Sequence, residues 1–375
     1  MSMTLDGSNG VTFNDSSLQG AAASPFVLKN RIINGDMRID QRNAGASVTI
    51  DQTGGTYTLD RWYGRDDSPG AYSIQQVSDA PTGFNNSLKI TITTTGTPGA
   101  AQYGFVGTWI EGYNTADLSF GSASAKTITL SFYVKSSVTG QFGGSITNSA
   151  QDRTYPFSYT ISSANTWEQK SVTITGDTTG TWLTTNGAGI GVNFAVGIGS
   201  NFLATANTWA SSFKMSATGQ TNLYATSAAT LQFTGVQLEI GSTATPFERR
   251  MFGQELALCQ RYYTQSYPYG TVAGTNIGAS GAGVISGVNY NQTTFGYTLM
   301  GPFCFSSTMR TNPTVTVYNP ITGSSTASAC IRNVNASTNV PGYVLSASDK
   351  SVHISCDATP VTIRAECAIT ATAEL

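Results

Sequence analysis

The sequence predicts an all-β protein: an N-terminal arm, a jelly-roll β-sandwich, a short connecting helix and a C-terminal β-sandwich. Three observations support this prediction. The 375 residues include 40 glycines and 10% aromatic residues but only 11% charged residues, a composition that suits short strands joined by turns. Apolar residues recur with a period of two in several runs. Only one segment carries a clear helix signal.

The charge balance and the single histidine argue against several classes of function. Lys+Arg total 19 and Asp+Glu total 21, so the chain has no strong positive field and we expect no nucleic-acid partner. His353 is alone, which argues against a histidine-based metal site or a Ser–His–Asp triad within one chain. Its apolar strand context predicts a core or interface histidine. We therefore expect a protein that is not an enzyme.

The sequence shows no targeting signal and no disulfide framework. Residues 1–24 lack a basic and an apolar leader region, and no run approaches 18 apolar residues, so we expect neither a secretory signal nor membrane insertion. The cysteines are odd in number and lack CxxC spacing, which predicts buried thiols in a protein made in a reducing cytoplasm. They are Cys259, Cys304, Cys330, Cys356 and Cys367.

Residues 1–28 form a polar arm with few large apolar side chains. Such a segment cannot bury enough surface to order itself. We expect it to dock onto a partner chain, and a free arm is the alternative. The residues expected to anchor it are Leu5, Val11, Phe13 and Leu18.

Residues 29–247 are predicted to form the jelly roll. In residues 128–134 every second residue is apolar, which places one face of the strand in a core and the other, with Tyr133, in water. In residues 231–240 the apolar positions change from odd to even at Gly235. A glycine at such a phase change predicts a β-bulge.

Residues 245–265 carry the helix signal. Thr245 and Glu248 have the spacing of a capping box, with a proline at the first helical position. The apolar residues that follow step by four, three and four, as in the a/d seam of a coiled coil. We expect three chains to pack through this seam, and a helix lying on its own domain is the alternative. The seam residues are Phe252, Leu256, Cys259 and Tyr263.

Residues 268–375 are predicted to form the C-terminal β-sandwich. Its clearest strand is residues 361–375, where apolar and polar residues alternate up to the last residue. Such a two-faced strand is expected inside a sheet. Just before this domain, four tyrosines offer large rings that lose little entropy on contact, and they predict an inter-domain or inter-subunit contact. They are Tyr262, Tyr263, Tyr267 and Tyr269.

Four segments within residues 30–263 point to a known family. They read NRIINGDMRIDQR (30–42), YTLDRW (57–62), GVQLEIGSTATPFERR (235–250) and ELALCQRYY (255–263). Together they resemble tail-fibre and other virion appendage proteins of tailed bacteriophages, and the first and third also resemble carbohydrate-binding jelly-roll modules. The resemblance implies a virion structural protein, usually a homotrimer, that binds host surface polysaccharide or lipopolysaccharide.

The same resemblance sets expectations for partners and ions. The N-terminal arm would attach to another virion protein, such as a tail adaptor, the baseplate or the capsid. In carbohydrate-binding jelly rolls a structural calcium often joins the first strand to the last, and Asp36 and Glu239 occupy the matching ends. Oxygen ligands suit calcium. No other cofactor is expected.

Glycan binding needs aromatic faces beside amide side chains on a rigid sheet. Aromatic residues in loop-like contexts near asparagines are Trp109, Tyr113, Trp182 and Trp209. They are the predicted glycan-binding residues, with packing as the alternative, whereas Trp62 is predicted to be core.

Two other functions remain open at the sequence level. One is a head fibre or capsid decoration protein, which the same sequence could equally serve. The other is a glycan depolymerase, which would need a pair of carboxylates about 5–9.5 Å apart. The aspartates clustered within residues 36–67 match no catalytic motif and predict turn capping and arginine pairing instead.

Overall fold

The computed structural model describes residues 29–50, 55–279, 281–289, 297–335, 337–357 and 363–375, and three short strands within the first 28 residues. Those strands form a small antiparallel sheet: β1 (Thr4–Asp6), β2 (Gly10–Thr12) and β3 (Leu18–Gln19). Of the predicted anchor residues, Phe13 lies outside the described residues. Leu5, Val11 and Leu18 belong to the strands, but the structure does not describe their side chains. The anchor therefore stays a prediction.

The predicted jelly roll is present as a sandwich of two six-stranded antiparallel sheets. The twelve strands of the two sheets are β4 (Val48–Ile50), β5 (Thr56–Tyr57), β6 (Tyr63–Asp66), β7 (Ala71–Val77), β8 (Ser87–Thr94), β9 (Tyr103–Glu111), β10 (Ile128–Ser136), β11 (Gly140–Thr147), β12 (Thr154–Ile161), β13 (Glu168–Ile174), β14 (Ala188–Ile198) and β17 (Thr230–Ile240). Strands β15 (Leu203–Ala204) and β16 (Ser216–Ala217) form a separate parallel pair. Short 3₁₀ turns occupy Gly112–Asn114, Ala116–Leu118, Ser200–Phe202 and Leu223–Ala225.

The strand order shows that distant parts of the sequence are neighbours in each sheet. Sheet 1 runs β13-β10-β17-β8-β7-β4, and sheet 2 runs β12-β11-β14-β9-β6-β5. Such non-sequential antiparallel order is typical of Greek-key sandwiches and jelly rolls. The inward-facing apolar residues of both sheets form one large core, which includes the fully buried Phe132, Phe194 and Phe233. Trp62 lies in this core as predicted, and its indole N–H donates to the Asn34 carbonyl at 3.0 Å.

The predicted bulge at Gly235 is confirmed. The pairing register between β10 and β17 shifts between Ser131 and Tyr133, opposite this glycine. Gly235 has a φ of +61°, a left-handed conformation that glycine adopts without a Cβ clash. The alternation of faces is therefore kept on both sides of the bulge.

The helix is shorter than predicted and starts later. Helix α1 spans Phe252–Gln260, and Met251 is its N-cap without any side-chain capping bond. The predicted capping box is therefore wrong. Thr245 bonds to Glu239 instead, and the amide of Glu248 donates to the Gln237 side chain at 2.8 Å. These bonds hold the segment before the helix against two residues of strand β17.

The four predicted seam residues do not form one exposed surface. Cys259 is fully buried and Tyr263 is nearly so, both within the single chain. Tyr263 also belongs to strand β18 (Tyr263–Gln265) rather than to the helix. Only Phe252 is well exposed, and Leu256 is half-buried. Buried side chains have no surface left for another chain, so Cys259 and Tyr263 do not form the expected trimer contact.

The C-terminal domain consists of two further sheets. Its strands after β18 are β19 (Ile285–Asn289), β20 (Tyr297–Cys304), β21 (Thr314–Tyr318), β22 (Ile331–Asn333), β23 (Thr338–Val340), β24 (Gly342–Ala347), β25 (Ser351–Asp357) and β26 (Ile363–Thr372). Strand β26 pairs with β18, β19, β21 and β22, and β25 pairs with β20 and β24. Met300, Ile354 and Cys367 share one core between the sheets, as the predicted sandwich requires.

The clearest predicted strand is confirmed as β26, inside its sheet. Val361 lies outside the described residues. Strand β26 buries polar residues such as Glu366 as well as its apolar residues. His353 is exposed on β25 rather than in the core. Four of the five cysteines are buried thiols as predicted, whereas Cys304 is exposed.

The two domains contact each other through buried arginines, aromatic rings and a carboxylate. The guanidinium of Arg61 lies 3.6 Å from the centre of the Tyr262 ring and donates to Glu374. Arg42 donates to the other oxygen of Glu374 at 2.6 Å and lies 3.8 Å from the Tyr263 ring. The predicted tyrosine contact is thus an inter-domain one.

A second ion pair extends this contact. Arg261 binds both carboxylate oxygens of Glu111, at 2.9 and 2.6 Å, and the Tyr262 hydroxyl donates to Glu111 at 2.7 Å. Burial opposes the charge of Glu111, but these hydrogen bonds hold its pKa below the ordinary value.

Within the described parts of the chain, no helix has both the length and the apolar character to cross a bilayer.

Candidate ligand-binding site

An open cleft of about 440 Å³ lies on the outer face of sheet 1. We call it the aromatic cleft. Three aromatic rings, an arginine, an amide and two hydroxyl side chains line it, together with two small apolar residues. Its residues are Phe84, Tyr133, Phe247, Arg249, Gln169, Thr82, Thr245, Ala244 and Pro246. The volume falls within the range of ordinary ligand sites.

The three rings form one partly exposed group. The Phe84 ring centre lies 5.3 Å from that of Tyr133 and 5.3 Å from that of Phe247. The Arg249 guanidinium stands 4.5 Å from the Phe84 ring centre. All three rings are half-buried, so they are fixed by packing and still present surface to the solvent.

Strand alternation places the sheet residues of the cleft. Tyr133 occupies an outward position on β10, and Gln169 lies beside it in register on β13. Phe84 comes from the loop between β7 and β8 and lies against the bulge. A Cβ at Gly235 would come within 2.7 Å of the Phe84 ring and 3.1 Å of the Tyr133 ring. The glycine therefore gives the two rings room to meet.

The segment after β17 supplies the other wall. The Thr245 amide and hydroxyl donate to the two oxygens of Glu239 at 2.8 and 2.6 Å. The Lys29 ammonium donates to the Pro246 carbonyl at 2.8 Å. These bonds fix the backbone around Phe247, so this ring is held at the sheet without being part of a strand.

A further aromatic residue continues the same face beyond the cleft. Trp167 directly precedes β13, and its ring centre lies 5.1 Å from the Lys135 ammonium on β10. Lys135 also pairs with Asp79. The hydrogen bond from Lys135 lowers the pKa of Asp79. The outer face of sheet 1 therefore carries aromatic rings and charges in a row along β10 and β13.

Two of the four predicted glycan-binding residues pack together at one end of the sandwich. Trp182 and Trp209 lie 5.6 Å apart, and Phe120 contacts both. Their indole N–H groups donate to backbone carbonyls of Thr179 and Thr175, at 3.2 and 2.8 Å. Both rings are only partly buried, so they have a packing role and keep some exposed surface.

The other two predicted residues lie apart from that pair. Trp109 is a β9 residue on the outer face of sheet 2, paired in register with Gly191. Tyr113 lies in the 3₁₀ turn after β9, with 62% of its surface exposed. The structure does not bring the four residues to one place, and none of them lines the aromatic cleft.

The two carboxylates expected to hold calcium have protein partners of their own. Asp36 pairs with Arg38, and both oxygens of Glu239 accept hydrogen bonds from Thr245. The described residues contain no group of three or more His, Cys, Asp and Glu side chains arranged to hold a metal ion. Calcium needs six or more oxygen ligands. No role for calcium follows from this arrangement, and the site stays a prediction.

The aspartates near the first strands are turn-forming and buried. Asp40 accepts backbone N–H bonds from Asn43 and Gly45 at 2.9 and 2.7 Å. Asp60 accepts the amide and side-chain N–H groups of Gln41, both at 2.7 Å. Turn capping was predicted correctly. Arginine pairing is found for Asp36 with Arg38 but not for Asp60 with Arg61, because Arg61 reaches Glu374 instead.

The cleft residues carry weak signals in the sequence. Tyr133 is an aromatic residue at a water-facing position of an alternating strand, and that is the one pattern that could have marked the site. Phe84, Phe247 and Arg249 lie in turns and irregular chain, where no periodicity applies. Their meeting depends on how a loop and the segment after β17 cross the same sheet.

Comparisons with known proteins give only distant likenesses. No protein-family model matches the chain, and no curated protein matches it. Tailspike protein 4 of bacteriophage CBA120 aligns over 56% of this chain at 13% identity and a TM-score of 0.30. This chain covers 21% of that tailspike chain.

Two carbohydrate-recognising modules align in a similar way. The family 11 carbohydrate-binding module of Clostridium thermocellum covers 53% of this chain at 12% identity, with 98% of the module aligned and a TM-score of 0.26. The cellulose-binding domain of a Cellulomonas fimi β-1,4-glucanase covers 49% at 16% identity, with 90% of the domain aligned and a TM-score of 0.23. Scores this far below 0.5 carry no weight for fold or function, and the jelly-roll assignment rests on the strand order.

Proposed function

We propose that this protein is a glycan-binding protein without catalytic activity and that it serves as a fibre adhesin on a bacteriophage virion. The observation that carries the binding function is the aromatic cleft. Half-exposed rings fixed on a sheet offer flat apolar surfaces to the C–H faces of a sugar, and Gln169 and Thr245 offer hydrogen bonds to its hydroxyls. Because ring packing and backbone hydrogen bonds hold these groups in place, little entropy is lost on binding.

The residues of the cleft favour binding over hydrolysis. Its described lining includes no carboxylate, whereas most glycosidases need two. A protein that only holds a glycan gains affinity by presenting several sites at once. A homotrimer would supply three copies of the cleft.

The virion role is supported by the sequence resemblance within residues 30–263 and by the polar arm that precedes it. In this proposal, residues 1–28 attach to another virion protein and the two β domains project toward the host. The contact between the domains involves buried ion pairs, which suits a rigid projecting unit.

A glycan array tests the binding function directly. Purified full-length protein is applied to immobilised bacterial polysaccharides and lipopolysaccharides, and the best ligand is then titrated in solution. We expect Y133A and F247A each to weaken binding about tenfold, which corresponds to about 1.4 kcal/mol. Y113A and W182A are matched controls, because they remove partly exposed aromatic rings outside the cleft.

The controls also separate the two candidate sites. Loss of binding in Y113A or W182A with full binding in Y133A would move the site to the residues that the sequence predicts. Absence of binding to every glycan by the wild-type protein would contradict the proposed function.

A further inference from the structure

Arg249 is a cation in the aromatic cleft without an ion-pair partner among the described residues. Its guanidinium lies over the Phe84 ring at 4.5 Å and 5.9 Å from the Phe247 ring. The residue is exposed, and no carboxylate of the described chain lies within ion-pair distance of it. Stacking on a ring orients the planar guanidinium but leaves its N–H donors unused.

The two charged residues next to Arg249 bond to other parts of the chain. The Glu248 carboxylate accepts the Asn30 backbone amide at 2.7 Å, and neither residue lines the cleft. Arg250 is buried and pairs with Glu255 at 3.3 Å. Arg249 is exposed and lines the cleft, whereas the charged residues on either side of it bond to Asn30 at the start of the jelly roll.

The rest of the cleft lining is neutral. Its polar groups are hydroxyls and one amide, which can bond to sugar hydroxyls but cannot balance a positive charge. A guanidinium held in place in such surroundings matches a carboxylate in both charge and shape, because two parallel N–H groups can bind its two oxygens.

We propose that the aromatic cleft selects acidic glycans and that Arg249 binds the carboxylate of a uronic-acid-type sugar. This inference rests on the proposed glycan-binding function and adds the class of ligand. The sugar ring lies against the aromatic rings, and the carboxylate replaces the ion-pair partner that Arg249 lacks within the chain.

Pairs of polysaccharides that differ only in their carboxylates test the proposal. The probes are acidic bacterial capsular polysaccharides, each used as isolated and after chemical reduction of its carboxylates to alcohols. We expect wild-type protein to bind the acidic form at least tenfold more tightly than the reduced form, and to lose this preference as the salt concentration rises.

The variant R249Q should remove that preference, so that it binds the acidic and the reduced forms with equal affinity. R65Q is the matched control, because Arg65 is also exposed and also lies beside an aromatic ring, at 5.3 Å from that of Tyr103, but on sheet 2. R249K tests the shape of the group, since an ammonium keeps the charge without the paired donors. It should restore less than half of the lost preference.

The outcomes distinguish the two proposals. If the wild-type protein bound the acidic and reduced forms equally, the acidic preference would be overturned. It would also be overturned if R249Q and R65Q lost the preference for the acidic form to the same extent. Either result would leave the glycan-binding function standing. No binding of either form by the wild-type protein would overturn both.

Discussion

Asp60 is a carboxylate buried in the first turns of the jelly roll, and its environment makes its charge unfavourable. Burial raises the pKa of Asp60 to about 6, against the ordinary 3.8, and the Arg42 charge and the Gln41 hydrogen bonds only partly offset this effect. The nearby Glu374 charge acts in the same direction as burial. The folded chain therefore binds a proton at Asp60 more tightly than the unfolded chain does.

This difference predicts a pH dependence of stability. The stabilising contribution of the Asp60 proton is fully present below pH 4 and is lost as the pH rises through 6. The free energy of unfolding of D60N minus that of the wild type should increase between pH 4 and 7, by roughly 3 kcal/mol at most. Urea unfolding across this range measures it, and a difference that stays constant with pH would contradict the assignment.

Among the elements, the segment after strand β26 joins the two domains. Glu374 lies just beyond β26 and accepts bonds from two arginines of the jelly roll, Arg61 and Arg42. The Tyr57 hydroxyl donates to the carbonyl of Leu375 at 2.8 Å. The last residues thus act as a tie between two sheets that are far apart in sequence.

Removing the charge of Glu374 should therefore destabilise the chain strongly. E374Q removes the carboxylate that pairs with two largely buried arginines, and we expect a loss of about 3 kcal/mol in the free energy of unfolding. D117N is the control, because Asp117 is exposed and pairs with Arg31 at the surface. Its loss should stay below about 1 kcal/mol. Equal losses in the two variants would show that Glu374 does not hold the domains together.

For the whole molecule, the proposed homotrimer needs a surface through which the chains contact one another. The helix seam is largely buried inside one chain, but the C-terminal domain presents several apolar residues to the solvent. Five of them are exposed by 40–57% of their surface: Val288, Leu299, Tyr343, Val344 and Leu345. Exposed apolar groups of this kind often mark protein–protein contacts. They support the proposed homotrimer without the helix seam.

Removing residues 1–28 tests the assembly and the arm together. The truncated protein should remain soluble with the mass of three chains by light scattering, because the proposed contacts lie in the folded domains. It should no longer join virus particles, because the arm would be its attachment. A monomeric mass at micromolar concentration would count against the trimer, and retained incorporation would refute the arm as the anchor.

Much of the architecture could be predicted from the sequence because it depends on local patterns. A period of two identified the strands around residues 128–134 and 363–372, since alternation follows directly from strand geometry. The phase change at Gly235 predicted the bulge for the same reason. The helix was placed correctly only in part, since Thr245 and Glu248 form their bonds with residues of the preceding strand β17 rather than with a helix end.

What the sequence by itself determined is the all-β class, the strands with alternating residues and the bulge, because each follows from neighbours along the chain. Only the tertiary structure decided that Phe84, Tyr133, Phe247 and Arg249 form one cleft, that Glu374 meets Arg61, and that Cys259 lies inside a single chain. Those contacts join residues separated by tens to hundreds of positions, and the side chains involved fit many partners equally well until the sheets bring them together.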